Sequence, residues 1–315
     1  MRKRVAIIGE PLLELSHPGA SLFGPAQFGF AGDTLNTAVY LSRLGTDVDY
    51  ITALGLDPYS EALLAAMRAE GVGTELVLRH PSRVPGLYAI QTDAHGERSF
   101  TYWRSESAVR EFFELAGGEQ ALDAAIACDA LYLSGITLSL FDAAGQQKLT
   151  ILADEMRRAG KPVIFDPNYR ARNWPTPETA RQAFANFACN ATIMLPTLED
   201  DMALFGPHSM ERHAAHWRGL GVEIVVVKCG GDGAHILQQS EAAQHVPVPR
   251  RIAPRDTTGA GDSFNAAFLH RWLSGSSLSE AVLAGHELAG RVVQHPGAIL
   301  PLSGMPAVTI TREAT

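Results

Sequence analysis

A nine-residue stretch in the last quarter of the chain reads Asp256-Thr257-Thr258-Gly259-Ala260-Gly261-Asp262-Ser263-Phe264, and an apolar run from Asn265 to Leu273 follows it. Two glycines around an alanine allow backbone N–H groups to converge at a helix start, where the helix dipole adds partial positive charge. We therefore expect an anion at this turn. Asp262 lies inside it, in the position of a general base for a hydroxyl that receives a phosphoryl group. The alternative is a turn that only joins a strand to a helix.

The string Asp-Thr-Thr-Gly-Ala-Gly-Asp resembles the C-terminal signature of the ribokinase-like (PfkB) carbohydrate kinases. The resemblance implies an α/β fold, namely a three-layer α/β/α sandwich with a mostly parallel central sheet and a small β-sheet lid. It also implies that Asp262 is the catalytic base. Gly259, Ala260 and Gly261 would then hold the phosphate groups of ATP.

The composition is that of an ordinary globular protein. The chain has 315 residues, 46% of them hydrophobic, and a formal net charge of -8, so it can bury a large core and has no basic surplus for nucleic acid. Its three cysteines form no Cys-x-x-Cys pair, which favours buried thiols in a reducing compartment. No apolar run approaches the roughly 20 residues that span a bilayer. We expect a cytoplasmic protein that binds neither nucleic acid nor membranes.

Apolar strands alternate with helical patterns along most of the chain, which is typical of an α/β fold with a mostly parallel sheet. The run Val5 to Gly9 predicts the first central strand. Glu10 and Pro11 follow it, where a dinucleotide-binding fold would have further glycines. The sequence also contains no P-loop motif. Further strands are predicted at 50–54, 130–133, 163–165, 192–195, 224–227, 234–237 and 244–248, and helices at 33–44, 59–70, 142–159, 177–188, 209–219, 263–273 and 278–294.

Residues 11–30 and 85–107 interrupt this alternation. The first segment is rich in glycine, proline and phenylalanine, and the second contains two β-rich runs joined by a polar turn at 93–97, which predicts a hairpin. Together they predict a small lid sheet outside a core made of residues 1–10, 31–84 and 108–315. The exposed edges of such a sheet favour pairing, so we expect a homo-oligomer built through the lid.

Two polar residues at the start of a predicted helix point to a ligand. Asp33 and Asn36 are three residues apart, so both side chains can face the same molecule. Asp33 could instead be the helix N-cap.

A second pair of side chains points to an acidic ligand. Tyr102 and Arg104 share one face of a lid strand, where they either cover a substrate or form an ordinary cross-strand pair. Arg170 follows Asp166 at the carboxyl end of a predicted strand, where ligands of open α/β sheets bind; the alternatives are a turn-forming aspartate and a surface charge. Together, Arg104 and Arg170 would clamp a carboxylate.

Within the PfkB family, the chain resembles the 2-keto-3-deoxygluconate kinases from about residue 4 to 305. Four segments carry this resemblance: Gly86-Leu87-Tyr88, Tyr102-Trp103-Arg104, Leu133-Ser134-Gly135-Ile136 and Asn168-Tyr169-Arg170. The resemblance implies ATP-dependent phosphorylation of the terminal (C6) hydroxyl of 2-keto-3-deoxy-D-gluconate. It implies sugar-acid contacts from Gly32, Asp33, Asn36, Tyr88, Tyr102, Arg104, Ile136 and Arg170.

The same resemblance implies sites for ATP and Mg²⁺. The segments that match the family's nucleotide site contain Lys228, Gly230, Gly233, Gly259, Gly261 and His286. His286 falls where the adenine pocket usually forms, or it is an ordinary helix histidine. Many family members carry Asn-x-x-Glu near the nucleotide, whereas this chain has Pro196-Thr197-Leu198-Glu199, so Glu199 is expected to reach Mg²⁺ only through water. His208, His213 and His216 lack a completing ligand and predict no metal site.

Two other functions stay open. A neutral-sugar kinase, such as a fructokinase, would use the same catalytic residues, with Arg104 and Arg170 in structural salt bridges. A non-catalytic sugar or nucleotide sensor on the same scaffold would have lost the base, and Asp262 is present.

Overall fold

The computed structural model describes residues 2–17, 25–92, 98–238 and 242–306, so the polar turn expected at 93–97 lies outside it. The strands of the described ranges are β1 Arg4–Ile8, β2 Leu12–His17, β3 Gln27–Ala31, β4 Asp47–Leu54, β5 Val77–Arg79, β6 Gly86–Thr92, β7 Arg98–Trp103, β8 Ala130–Ser134, β9 Val163–Asp166, β10 Ile193–Met194, β11 Ile224–Lys228, β12 Ala234–Gln238 and β13 Gln244–Val246. The α-helices are α1 Asp33–Leu44, α2 Pro58–Ala69, α3 Gly118–Ala125, α4 Gly135–Leu138, α5 Ala143–Arg158, α6 Pro177–Ala188, α7 Leu198–Phe205, α8 Met210–Gly219, α9 Ala260–Leu273 and α10 Leu278–Val292.

The large sheet has the strand order β13-β12-β11-β10-β9-β8-β1-β4-β5. Neighbouring strands run parallel from β11 to β5, and only β12 and β13 pair antiparallel with their neighbours. This confirms the predicted α/β fold with a mostly parallel sheet. The carboxyl ends of β1, β8, β9 and β11 therefore meet at one edge, where a ligand site is expected.

Helices cover both faces of this sheet. Along β1, Val5 and Ile7 pack in one apolar cluster with α1, α2, α9 and α10, while Ala6 and Ile8 pack in a second cluster with α3, α5, α6 and α8. Successive strand residues point to opposite faces, so a strand that is buried on both sides reads as a continuous apolar run. The three-layer arrangement is thereby confirmed.

A second, four-stranded sheet with the order β3-β2-β6-β7, here called the lid sheet, lies within the two predicted lid segments except that β3 extends to Ala31. Strands β6 and β7 pair antiparallel, which confirms the hairpin. In the register of the sheet, Leu12, Tyr88 and Tyr102 share the face toward the core, and Leu13 and Leu87 share the outer face.

The structure differs from the sequence predictions in three respects. Helix α9 begins at Ala260 rather than 263, because Gly259 adopts a left-handed conformation (φ 74°) that starts the helix inside the glycine pattern. Helices α3 and α7 were not predicted because each has only eight residues, too few for a clear apolar period. The expectation of buried thiols holds for Cys128 but is wrong for the exposed Cys189. No helix of the described residues is long and apolar enough to cross a membrane.

Candidate active site

A cavity of about 850 Å³ separates the lid sheet from the carboxyl ends of the central strands. This volume is within the range of small-molecule sites, about 300 to 1,000 Å³. Every residue that the sequence suggested for the site lines this one cavity: Gly32, Asp33, Asn36, Tyr88, Tyr102, Arg104, Ile136, Arg170, Glu199, Lys228, Gly230, Gly233, Gly259, Ala260, Gly261, Asp262 and His286.

Asp262 lies in the first turn of α9 and accepts a hydrogen bond from Asn36 Nδ2 through Oδ2 (2.8 Å). Burial raises the pKa of Asp262 to about 8, and the charges of Asp33 and Asp166 act in the same direction. The hydrogen bond from Asn36 and the charge of Lys228 oppose this rise in the pKa. The carboxylate is therefore unusually basic, as suits a group that takes a proton from a hydroxyl.

The glycine turn, Gly259-Ala260-Gly261, brings backbone amides and a cation to the same place. A side chain at Gly259 would lie 2.6 Å from the carbonyl oxygen of Ala298, so only glycine fits there. A Cβ at Gly261 would lie 3.6 Å from Lys228 Nζ. First-turn amides of a helix lack intrahelical acceptors, so this end of α9 is suited to bind an anion.

Asp33 is held at the start of α1 by Ser134, the last residue of β8, and by Asn168, which follows β9. Its Oδ2 accepts hydrogen bonds from Ser134 Oγ and from Asn168 Nδ2, the latter at 3.1 Å. Burial raises the pKa of Asp33. The N-cap of α1 is Gly32, which has φ 141°, so the alternative role of Asp33 as N-cap is wrong. Asp33 is free of a capping role and faces the cavity together with Asn36.

Aromatic rings of the lid sheet form the roof of the cavity. The rings of Tyr88 and Tyr102 are stacked with centroids 5.7 Å apart, and the Tyr88 hydroxyl donates to the carboxylate of Glu14. Trp103 lies on the opposite face of the strand and is 57% exposed. The predicted sharing of one face by Tyr102 and Arg104 is confirmed, since both line the cavity.

Both arginines of the expected clamp reach the cavity, but each is paired with a protein carboxylate. The guanidinium of Arg104 contacts the carboxylate of Glu10, which is 2% exposed. Arg170 Nη1 donates to Asp200 Oδ1 at 2.8 Å and to the carbonyl of Tyr169 at 2.7 Å. These salt bridges are what the neutral-sugar alternative predicts for the two arginines.

The predicted nucleotide residues lie at the other end of the cavity. Lys228 Nζ donates to Asp166 Oδ2 (2.9 Å) and to Asn265 Oδ1 (3.1 Å). Gly230 and Gly233 bound the turn after β11. His286 packs on Phe264, and burial lowers the pKa of its ring. The neutral ring hydrogen bonds to the carbonyl of Val246 through Nε2 (3.1 Å). His286 is therefore a satisfied helix histidine that also lines the cavity.

Glu199 lies exposed in the first turn of α7 at the rim of the cavity. The residue that replaces the family asparagine, Pro196, offers its carbonyl to the backbone N–H of Lys228 (2.8 Å). Over the part of the chain that the structure describes, no three His, Cys, Asp or Glu side chains form a metal-binding group. His216 packs its ring on Phe205 instead, with centroids 4.5 Å apart.

The pfkB family carbohydrate kinase model matches residues 3–304 of the chain. The chain belongs to the pfkB family of carbohydrate kinases. Among curated relatives, the 2-dehydro-3-deoxygluconokinase of Dickeya dadantii (strain 3937) is 42% identical over 97% of this chain and 99% of that protein. Its substrate name is a synonym of 2-keto-3-deoxygluconate, so the likeness to that group of pfkB kinases is confirmed.

Solved structures of pfkB kinases share the fold. A PfkB protein from Polaromonas sp. JS666 superposes with a TM-score of 0.82 at 29% identity, covering 94% of this chain and 97% of that one. A putative ribokinase II from E. coli, in complex with ATP and Mg²⁺, superposes with a TM-score of 0.81 at 23% identity, covering 96% and 95%. The predicted ribokinase-like fold is confirmed.

The cavity of this pfkB kinase also contains contacts that the sequence alone did not reveal. Asp166 Oδ1 accepts from the backbone N–H of Asn168 (3.1 Å), which confirms the turn-forming role, while Oδ2 binds Lys228 and Asn265. Asn265 follows Asp262 by three residues on α9, and that spacing is a signal that could have identified it. Arg172 also lines the cavity, and no motif pointed to it.

Proposed function

We propose that this kinase transfers the γ-phosphoryl group of ATP to the C6 hydroxyl of 2-keto-3-deoxy-D-gluconate. The proposal rests on one observation above all: a carboxylate with a pKa of about 8, Asp262, lies beside the glycine turn in a cavity large enough for both substrates. The choice of sugar acid is supported by the 42% identity to the 2-dehydro-3-deoxygluconokinase of Dickeya dadantii.

In the proposed reaction, Asp262 accepts the proton of the C6 hydroxyl. The hydroxyl oxygen forms a bond to the γ-phosphorus as the bond from that phosphorus to the bridging oxygen breaks and ADP leaves. Asn36 holds the carboxylate, while Lys228 and the amides of the glycine turn stabilise charge on the transferred group. When bound, Mg²⁺ would supply further positive charge at the phosphates. The exposed carboxylate of Glu199 at the rim fits contact with that ion through water.

The sugar acid would lie under the lid sheet. Asp33 would accept hydrogen bonds from sugar hydroxyls, and Asn36 would contact the same end of the sugar's carbon chain. Gly32 and Ile136 would line the cavity beside the sugar. The rings of Tyr88 and Tyr102 would cover its carbon chain. Arg104 and Arg170 would donate through N–H groups not used by Glu10 and Asp200.

The nucleotide would occupy the end that contains His286. This end is lined by Val248, Ile252, Phe264, Ala289 and Val293, an apolar set that suits an adenine ring. Gly230 and Gly233 would let the backbone approach the phosphates, because neither carries a side chain.

The lid, residues 11–30 and 85–107, would close over the sugar and exclude water, and its outer face would join copies of this chain into a homo-oligomer. Leu13, Leu87 and Trp103 lie side by side on that face in the register of the sheet. We expect Trp103→Glu to shift the assembly to monomer in size-exclusion chromatography with light scattering. An unchanged mass would contradict pairing through the lid.

The test of the function is ADP release in a coupled assay with 2-keto-3-deoxygluconate, fructose, ribose and adenosine. The sugar acid should be turned over fastest, and Asp262→Asn should lower that turnover by about 10² to 10⁴ because the base is lost. Faster turnover of fructose would favour the neutral-sugar kinase, which the salt bridges of Arg104 and Arg170 support. Binding without ADP release above the Asp262→Asn level would identify a sensor.

A further inference from the structure

The charges at the sugar end of the cavity leave a carboxylate ligand without an obvious partner. The charge of Arg104 is offset by Glu10, and the charge of Arg170 by Asp200. Asp33 adds a further carboxyl group at the same end. An acidic sugar would therefore meet no net positive charge from these residues, and like charges repel. Recognition of an acid requires another cation.

Arg172 is such a cation. It lines the cavity, is exposed to it, and forms no ion pair with any Asp or Glu of the described ranges. Its Cζ lies 3.6 Å from the centroid of the Tyr102 ring. Stacking uses the flat face of a guanidinium and leaves its N–H groups, which lie in the plane, available to a carboxylate.

The backbone that carries Arg172 is anchored on both sides. Arg172 is the central residue of a 3-10 turn, Ala171–Asn173, which follows β9. Before the turn, Tyr169 is buried against Phe184, and after it Trp174 packs edge-on against the same ring with centroids 5.4 Å apart. The turn belongs to the core and Tyr102 belongs to the lid sheet, so the stacked pair connects the two where both line the cavity.

We propose that Arg172, presented by Tyr102, binds the carboxylate of the sugar acid and determines the preference for acids over neutral sugars. This inference rests on the proposed function and deepens it. Arg104 and Arg170 keep their protein partners and contribute hydrogen bonds, while Arg172 supplies the charge that the substrate neutralises. A planar guanidinium pairs with both oxygens of a carboxylate, which lysine cannot do.

The test compares 2-keto-3-deoxygluconate with its methyl ester, which lacks the negative charge and carries one added methyl group, in the ADP-release assay. For Arg172→Gln we expect the KM for the acid to rise about ten- to a hundredfold, the effect of losing a hydrogen bond to a charged group. The KM values for the ester and for ATP should stay within about twofold, since neither carries the carboxylate. Arg172→Lys should give an intermediate KM for the acid. Arg212→Gln, on the exposed surface of α8, is the matched control and should behave as wild type.

Two results would overturn the inference while leaving the proposed function intact. One is an unchanged KM for the acid in Arg172→Gln. The other is an equal rise for acid and ester, which would indicate lost stacking on Tyr102 rather than lost charge. If the wild-type enzyme does not phosphorylate the acid at all, the proposed function and this inference both fail. The Tm of Arg172→Gln in thermal unfolding should match that of the wild type, because Arg172 is exposed.

Discussion

Replacing Asp262 with asparagine should change the pH dependence of stability as well as the activity. In the folded protein the pKa of Asp262 is raised by burial to about 8, against an ordinary value of 3.8. The folded state therefore binds this proton more tightly than the unfolded chain does, so the free energy of unfolding falls as the pH rises between those two values. Asparagine carries no charge and avoids this loss, and its side-chain oxygen can still accept the hydrogen bond from Asn36.

The size of the effect follows from the shift in pKa. From pH 5.5 the pH rises by roughly two and a half units before it reaches the folded-state pKa of about 8. Each of these pH units lowers the free energy of unfolding by about 1.36 kcal/mol. Asp262 is partly open to the cavity, where solvent screens its charge, so we discount the product to about 1 to 3 kcal/mol. The stability of Asp262→Asn relative to wild type should thus be greater near pH 9 than near pH 5.5 by that amount.

Urea denaturation of the ligand-free proteins at several pH values between these limits measures this difference. Asp123→Asn, at an exposed position of α3, is the control for removing a carboxylate away from the cavity. A difference between Asp262→Asn and wild type that is constant, or that shrinks as the pH rises, would refute a raised pKa at Asp262. The assignment of a basic carboxylate beside the glycine turn would fail with it.

Two further predictions concern the same end of the cavity. The kcat/KM of the wild type should rise with pH and level off above about 8. Asp33→Asn should move that rise to lower pH, because the charge of Asp33 raises the pKa of Asp262. An unchanged pH profile in Asp33→Asn would exclude this coupling. Gly259→Ala should lower the Tm and weaken ATP binding more than Gly160→Ala does. Both glycines have positive φ (74° and 70°), but of the two only a Cβ at Gly259 would meet a carbonyl oxygen. Equal losses of Tm would contradict that contact.

The layers of the fold and the placement of a carboxylate beside the glycine turn could be predicted from the sequence alone. The run Val5 to Gly9 predicted a doubly covered strand because apolar residues occupy both faces, and the structure has this strand at Arg4–Ile8. The pattern Gly-Ala-Gly-Asp predicts the anion site and the base together because both depend on neighbouring residues of one turn. The spacing of Asp33 and Asn36 is likewise local, and both side chains line the cavity.

The partner of each charged side chain follows from three-dimensional packing and could not be predicted. Arg104 and Glu10 are far apart in sequence, and only the packing of the lid strand β7 over the end of β1 makes them an ion pair. Asp166, Lys228 and Asn265 come from three elements and meet only because parallel strands end at one edge. Arg172 has no motif, and its stacking on Tyr102 depends on how the lid sheet sits on the core. Electrostatic partners depend on distance through space, which a pattern along the chain does not encode.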